Sequence, residues 1–312
     1  MVGAVSRPRG ILASMTKTLG IIGAGRVGRA LGRRLQETGW RVMVVTASSE
    51  ANAKKAVRFI GGGRPAAGIP ARLAGVRVIL LTVPDDAIAP IASELARQVP
   101  EELGGKVVLH TSGALDSSVL KPVRERGAAV GAMHPLQTFN GVSVPPLAGK
   151  VFAIEGDQAA VRTARRLVRS LGGVPMRIGS TKKPLYHAAG SFAVGLCLAL
   201  EEAGVQMLSE AGLKRREAKR ALLSLTRQML EHYEKLGPRQ AWTGPLARGD
   251  FGVVASHEDA LGRLAPEFRE AYHAVSRLAA RVLSQKTETM LRELDGIWEK
   301  QRRVAKAKGG CE

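Results

Sequence analysis

Apolar positions fall into two regimes along the chain. In the first, short β-rich runs at residues 18–22, 41–46, 76–82, 106–110, 128–132, 151–155 and 174–178 predict strands. Amphipathic stretches at 26–38, 50–59, 84–97, 115–126 and 158–171 predict the helices between them. The run 76–82 is fully apolar, as expected of a strand buried on both faces. This alternation predicts a parallel sheet with helices on both faces, with residues 61–68 as a Gly/Pro loop. Beyond Ser180 the period changes, and no strand is expected from 184 to 283. Apolar residues at 196, 200, 203, 207 and 211 predict a helix over 193–211, stopped by Gly212. Further helices are expected at 214–236 and 266–283, a polar Gly-rich loop at 241–251, and a charged helix or tail over 285–308. The fold class is therefore α/β: a Rossmann-like parallel-sheet domain (16–181), an all-α C-terminal domain (182–285) for substrate or dimerisation, and basic tails at 1–15 and 286–312.

A length of 312 residues suits two domains, and 45% hydrophobic with 24% charged residues excludes a wholly disordered chain. No uncharged apolar stretch of about 18 residues stands out, so no membrane span is expected. The first 14 residues lack the apolar core of a signal peptide, and Met15 is an alternative start. Cys197 and Cys311 cannot form a disulfide framework or a cysteine-rich zinc site, so no metal is expected and a reducing, cytoplasmic setting is. The net charge, 47 − 27 = +20, raises nucleic acid as a partner, and part of it sits in the tails at Arg7, Arg9, Arg302, Arg303, Lys306 and Lys308. Only 4% of residues are aromatic, which argues against a base-stacking platform and for a small anionic substrate.

Gly23-x-Gly25-x-x-Gly28 lies between the first strand and the first helix. There the first glycine permits a tight turn, the second admits a pyrophosphate, and the third lets helix and strand pack closely. Gly23, Ala24, Gly25, Arg26, Val27 and Gly28, with Val83 and Pro84 at a later strand end, are the expected cofactor contacts. The second strand ends in Thr46-Ala47-Ser48-Ser49 without the acid that would hold a ribose 2′-hydroxyl, and Glu50 caps or begins the next helix. Ser48 and Ser49, with Lys54, Lys55 and Arg26 nearby, tolerate a 2′-phosphate, so NADP is expected and NAD is the alternative.

Parallel strands deliver ligand groups at their carboxyl ends. Asp85, His110, Ser112 and His134 lie at such ends. Helix capping is preferred for Asp85, and a structural hydrogen bond is the alternative for each histidine. Lys183, His187 and Ser191 share one helix face at i, i+4, i+8, a polar stripe that a cleft with a ligand would satisfy. Arg248, framed by Gly244 and Gly249, holds a distal anion or pairs with Asp250.

Six motifs together resemble one bacterial family: the glycine turn, Thr82-Val-Pro-Asp-Asp-Ala-Ile88, His110-Thr-Ser-Gly-Ala-Leu115, His134-Pro-Leu-Gln-Thr-Phe139, Lys183-Pro-Leu-Tyr-His-Ala-Ala189 and Gly244-Pro-Leu-Ala-Arg-Gly-Asp250. Its members are regarded as oxidoreductases of unassigned substrate and pair a Rossmann-like NAD(P)-binding domain with a helical domain of unknown function. Lys183-x-x-x-His187 is similar in spacing to the Lys-x-x-x-Asn of β-hydroxyacid dehydrogenases, whose lysine is the acid/base; here histidine replaces the asparagine. Gly131-Ala-Met-His134-Pro135 resembles the Gly-x-His-Pro of prephenate dehydrogenases, whose histidine contacts the reacting hydroxyl. These resemblances imply an NADP-dependent oxidoreductase acting on a small carboxylate-bearing carbonyl, alcohol, imine or amine. Lys183 or His187 is the expected acid/base. Ser112 and His134 are expected to hold the reacting oxygen or an adjacent carboxylate, and His110, Ser191 and Arg248 to bind substrate. The apolar helix faces predict a homodimer. The competing reading is a non-catalytic NADP-binding sensor or scaffold with a nucleic-acid or protein partner.

Overall fold

The computed structural model describes residues 17–309. Arg7, Arg9, Met15 and Cys311, singled out above, lie outside the described residues. The first compact unit runs through Ala193, past the expected boundary at 181, and the second starts at Val194.

In the first unit, β1 (Thr18–Ile22), α1 (Arg26–Glu37), β2 (Arg41–Ala47), α2 (Glu50–Ile60), β3 (Arg64–Ala67), β4 (Val78–Leu81), α3 (Asp85–Gln98) and β5 (Val107–His110) come in order. They are followed by α4 (Lys121–Arg124), β6 (Ala129–Pro135), β7 (Val151–Gly156), α5 (Gln158–Ser170), β8 (Val174–Arg177) and α6 (Lys183–Gly190). The eight strands form one sheet ordered β3-β2-β1-β4-β5-β6-β7-β8. The order reverses between β1 and β4, which opens a crevice at their carboxyl ends. Two apolar cores cover the faces, one around Leu31, Leu80, Phe152 and Leu167, the other around Ile79, Leu81, Ile88 and Leu120.

Three expectations are corrected here. Residues 61–68 are not all loop: β3 pairs parallel with β2 at the sheet edge, where Pro65 is tolerated. The helix expected at 115–126 shrinks to a 3-10 turn (Ser117–Leu120) and one α-turn. The sheet is not wholly parallel, because β7 runs antiparallel to β6. The connection 136–150 holds no helix and cannot supply the crossover a parallel neighbour needs.

The second unit is helical: α7 (Cys197–Glu210), α8 (Arg215–Leu236), α9 (Pro238–Ala241), α10 (Pro245–Arg248), α11 (Phe251–Leu261), α12 (Pro266–Leu283) and α13 (Thr287–Gly309). The expected tail from 286 is helix α13, whose Met290, Leu291, Leu294 and Trp298 are buried with Val254 and Ala280. Glu258, 1% exposed, pairs with His273 and Arg269, and the His273 ring stacks on Trp298. Buried apolar area, with these polar ties, is why a segment so rich in charge stays packed.

Residues from Ser180 to Glu210 are helical throughout, with a π-helical segment at Ser191–Leu196. This stretch is long and apolar enough to cross a membrane by length and composition alone; its most apolar window averages 1.4 in mean hydropathy and is 6% buried. Gly190, Ser191 and Gly195 dilute the apolar pattern in the sequence.

Candidate functional site

The glycine turn sits at the carboxyl end of β1. Gly23 adopts φ +93, and its amide and that of Ala24 donate to Thr46 O at 3.1 and 2.9 Å. The Thr82 hydroxyl donates to Gly23 O at 2.6 Å, fixing the turn against the end of β4. A side chain at Gly23 would strike Val83, and one at Gly28 would strike Thr82 and Gly23 O, so the protein's own packing requires both glycines. Gly25 is different. A Cβ there would meet only Thr82 O, at 4.0 Å. Gly25 N-caps α1 without any side-chain hydrogen bond, and the first turn holds no acid. Uncapped amides beside an unfilled glycine fit a phosphate-bearing ligand.

Around the turn, Arg26 is exposed and lies against Gly141 of the 136–150 connection. Val27 and Val83 are half-buried, and Pro84 is exposed. Strand β2 ends at Ala47 with no acid. Ser48 is exposed, whereas Ser49 caps α2 by accepting Asn52 N at 3.3 Å. Glu50 begins that helix and pairs with Lys54 at 2.7 Å.

Further along the same sheet edge, β5 and β6 bring the other candidates. His110 is fully buried: its Nδ1 accepts Ser112 N at 3.2 Å and its Nε2 faces Asp116 O at 3.2 Å. Burial, reinforced by the Lys183 charge, lowers its pKa to about 3. Both ring nitrogens are used, so His110 orders the turn and offers nothing to a substrate. Ser112 is corrected in the same way. Its hydroxyl donates to Asp85 at 2.7 Å and accepts the amides of Ala114 and Leu115, which leaves no donor for a reacting oxygen. Asp85 is the first residue of α3 and its carboxylate holds Ser112, while Pro84 occupies the cap position.

Lys183, expected with His187 as the candidate acid/base, lies in the interior. It is 0% exposed, and its Nζ donates to Ser112 O at 2.9 Å. Burial lowers its pKa, opposed by the charges of Glu155, Asp116 and Asp85. Glu155, also buried, accepts the Ser117 hydroxyl at 2.9 Å, and burial raises its pKa. Lys183 has no surface open to solvent, and its hydrogen bond ties it beneath the Ser112 turn. The stripe Lys183, His187, Ser191 thus climbs from the interior to exposed positions.

His134 and His187 remain as groups that can meet a substrate. His134 is half-buried at the end of β6, and His187 is exposed on α6, with ring centroids 5.7 Å apart and nearly perpendicular planes. Gly113 lines the notch between them and keeps it open; a Cβ there would lie 2.8 Å from His134 Nε2. Sequence reasoning missed Tyr186, whose hydroxyl lies 3.0 Å from His134 Nδ1. Burial raises the Tyr186 pKa to about 12, and the Ala153 amide faces the same oxygen. The hydroxyl can donate to Nδ1 or accept from it; in the tautomer where it donates, the neutral ring carries its proton on Nε2. Burial, then His187 and Lys183, lower the His134 pKa to about 4, so the ring is neutral at pH 7. Arg248, in the second unit, pairs with Asp250 at 2.8 Å. Among the described residues no group of His, Cys, Asp and Glu could hold a metal.

A doubly wound sheet with an uncapped glycine turn and a histidine pair on one edge, followed by a helical unit, defines a Rossmann-like two-domain protein. Residues 8–135 match the family model of the Rossmann-like domain, and residues 150–279 match that of a domain of unknown function, DUF2520. The two matches follow one another along the chain, the Rossmann-like model first and the DUF2520 model after it. Among solved structures, it is similar to a Thermotoga maritima protein at 22% identity and TM-score 0.65, covering 91% of this chain and 99% of that one. It is also similar to an Aspergillus terreus reductive aminase in complex with NADPH and ethyl-5-oxohexanoate, at 19% identity and TM-score 0.65, covering 85% and 94%. A Pseudomonas imine reductase matches at 18% identity and TM-score 0.61, covering 89% and 99%. At these identities the likeness is one of fold. No curated protein matches the chain.

Proposed function

We propose that this protein is an NADP-dependent oxidoreductase that reduces, or forms by oxidation, a small carbonyl or imine compound. The carrying observation is His134, held at Nδ1 by Tyr186 and beside His187, on the sheet edge that bears the glycine turn. The folds of an NADPH-bound reductive aminase and an imine reductase support the reading. The cofactor, when bound, supplies or takes up the hydride. Gly23, Ala24, Gly25 and the first turn of α1 would hold its pyrophosphate; the acid-free end of β2, with Ser48, Lys55 and Arg26, favours a 2′-phosphate.

His134, neutral and locked by Tyr186, donates a hydrogen bond from Nε2 to the oxygen or nitrogen of the reacting C=O or C=N. His187, open to solvent, exchanges the proton that this atom gains or loses. A net charge of +20 favours an anionic substrate, with a carboxylate beside the reacting carbon. The test is NADPH oxidation against small 2-oxo, 3-oxo and cyclic imine acids, with NADP and NAD titrated side by side. Turnover should fall about 10²-fold in His134→Ala and His187→Ala, with NADPH affinity retained. Unchanged turnover in both variants, or tenfold tighter NAD binding, would sink the corresponding half of the proposal.

The second unit supports a homodimer. Leu198, Leu225, Leu230 and Val282 are 68%, 63%, 54% and 64% exposed, more apolar surface than a lone soluble helical unit carries. A second copy would cover it. Light scattering on the purified chain should give twice the monomer mass; a monodisperse monomer would refute this assignment.

A further inference from the structure

At the opposite, amino-terminal edge of the sheet lies a cavity of about 1100 Å³ lined by Lys17, Arg41, Arg77, Arg166 and Arg169, with no acidic side chain on its wall. The backbone fixes three of these cations side by side. Arg41 N donates to Lys17 O at 2.7 Å and Arg77 N to Thr18 O at 3.3 Å, so they stand at the first rungs of the adjacent strands β2, β1 and β4. Neighbouring strands lie about 4.8 Å apart, which holds like charges together. Arg166 and Arg169 face the same space from α5, which is tied to the start of β2 by the bond from Trp40 Nε1 to Ser170 Oγ at 3.0 Å. Lys17, Arg41, Arg77 and Arg169 form no ion pair among the described residues, although other arginines of this unit, such as Arg33 and Arg124, do. The Arg77 charge adds to burial in lowering the pKa of nearby Lys106.

From this geometry we infer a second ligand site, separate from the glycine turn, that takes a small anion bearing two or more linked phosphates. One phosphate brings at most about two negative charges, too few for Lys17, Arg41, Arg77 and Arg169 together. Guanidinium groups from different elements would grip successive phosphates bidentately, and the walls at Val78 and Val107 leave apolar surface for an attached group.

The experiment is calorimetric titration of the full chain with inorganic triphosphate and with inorganic phosphate. It is repeated on Arg77→Ser/Arg169→Ser and on Gly25→Asp, which places an acid at the glycine turn. Both arginines are exposed, so the double variant should keep its fold. Triphosphate should bind at least about tenfold more tightly than phosphate, equally in wild type and Gly25→Asp, and about tenfold or more weakly in the double arginine variant. Equal affinity for the two anions would overturn the site, as would binding abolished by Gly25→Asp but kept by the arginine variant. A single-stranded oligonucleotide that displaced triphosphate and bound more tightly with length would replace the small ligand by nucleic acid and also overturn it.

Discussion

The Tyr186 hydroxyl stands 3.0 Å from Nδ1 of His134, and the two rings meet edge-on at 5.5 Å. In the proposed mechanism this contact keeps the proton of His134 on Nε2. Tyr186→Phe removes the lock and frees the ring to place its proton on either nitrogen. Turnover should fall about tenfold, the worth of one hydrogen bond, while NADPH affinity stays within twofold of about the wild-type value. Steady-state kinetics with the best substrate from the NADPH screen checks this; a change confined to cofactor affinity would place Tyr186 elsewhere in the mechanism.

A buried and a half-buried histidine make stability depend on pH. His110 and His134 have folded pKa values of about 3 and about 4, below the ordinary 6.5. Below pH 6.5 the unfolded chain therefore binds protons that the folded chain refuses, so stability falls as pH drops and levels off near each folded pKa. The loss is on the order of 2 kcal/mol for each histidine by about pH 4.5. Urea unfolding between pH 7 and 4.5 should show it, and His110→Gln should flatten the slope. An unchanged slope would mean that His110 does not resist protonation.

The glycine turn and the strand ends were legible because each rests on local chemistry: a φ only glycine tolerates, a β-branched run, a polar residue where the strand stops. Other features depend on neighbours distant in sequence. Val151–Gly156 reads the same in either direction, and only the helix-free connection before it makes β7 antiparallel. Arg64–Ala67 has neither alternation nor β-branching, and becomes a strand by pairing with β2 at an edge. Periodicity placed Lys183 and His187 on one face but could not give depth, so a buried lysine and an exposed histidine read as equals. His110 and His134 look alike as strand ends; backbone partners use up one and Tyr186 orients the other. The one clue to Tyr186 was its place beside His187, three residues after Lys183. Under the charges of 287–309, apolar residues at 290, 291, 294 and 298 already carried a helical spacing.

Lys183→Met tests the positioning role. It strips the buried carboxylate of Glu155 of its main opposing charge and frees Ser112 O. Stability should drop by about 1–3 kcal/mol, because the buried Ser112 carbonyl loses its donor. Adding Glu155→Gln should recover part of that loss in a double-mutant cycle. Turnover should fall only through a loosened turn, so its pH profile should keep the wild-type shape. A lost limb in that profile would return Lys183 to the acid/base role.

Gly25 and Gly28 separate ligand binding from packing. At Gly28 an added methyl runs into the Thr82 hydroxyl and Gly23 O, atoms that also hold the turn together. Gly28→Ala should therefore cost on the order of 2 kcal/mol of stability, through overpacking and the displaced Thr82 bond. At Gly25 the methyl meets nothing closer than Thr82 O at 4.0 Å, and the backbone, at φ −73, suits any residue. Gly25→Ala should leave thermal stability unchanged and weaken NADPH binding at least about tenfold, because the methyl stands where the pyrophosphate must approach. Thermal unfolding with and without NADPH reads both effects in one measurement. If Gly25→Ala binds NADPH as the wild type does, the space at that glycine serves no ligand, and the coenzyme assignment loses its structural basis.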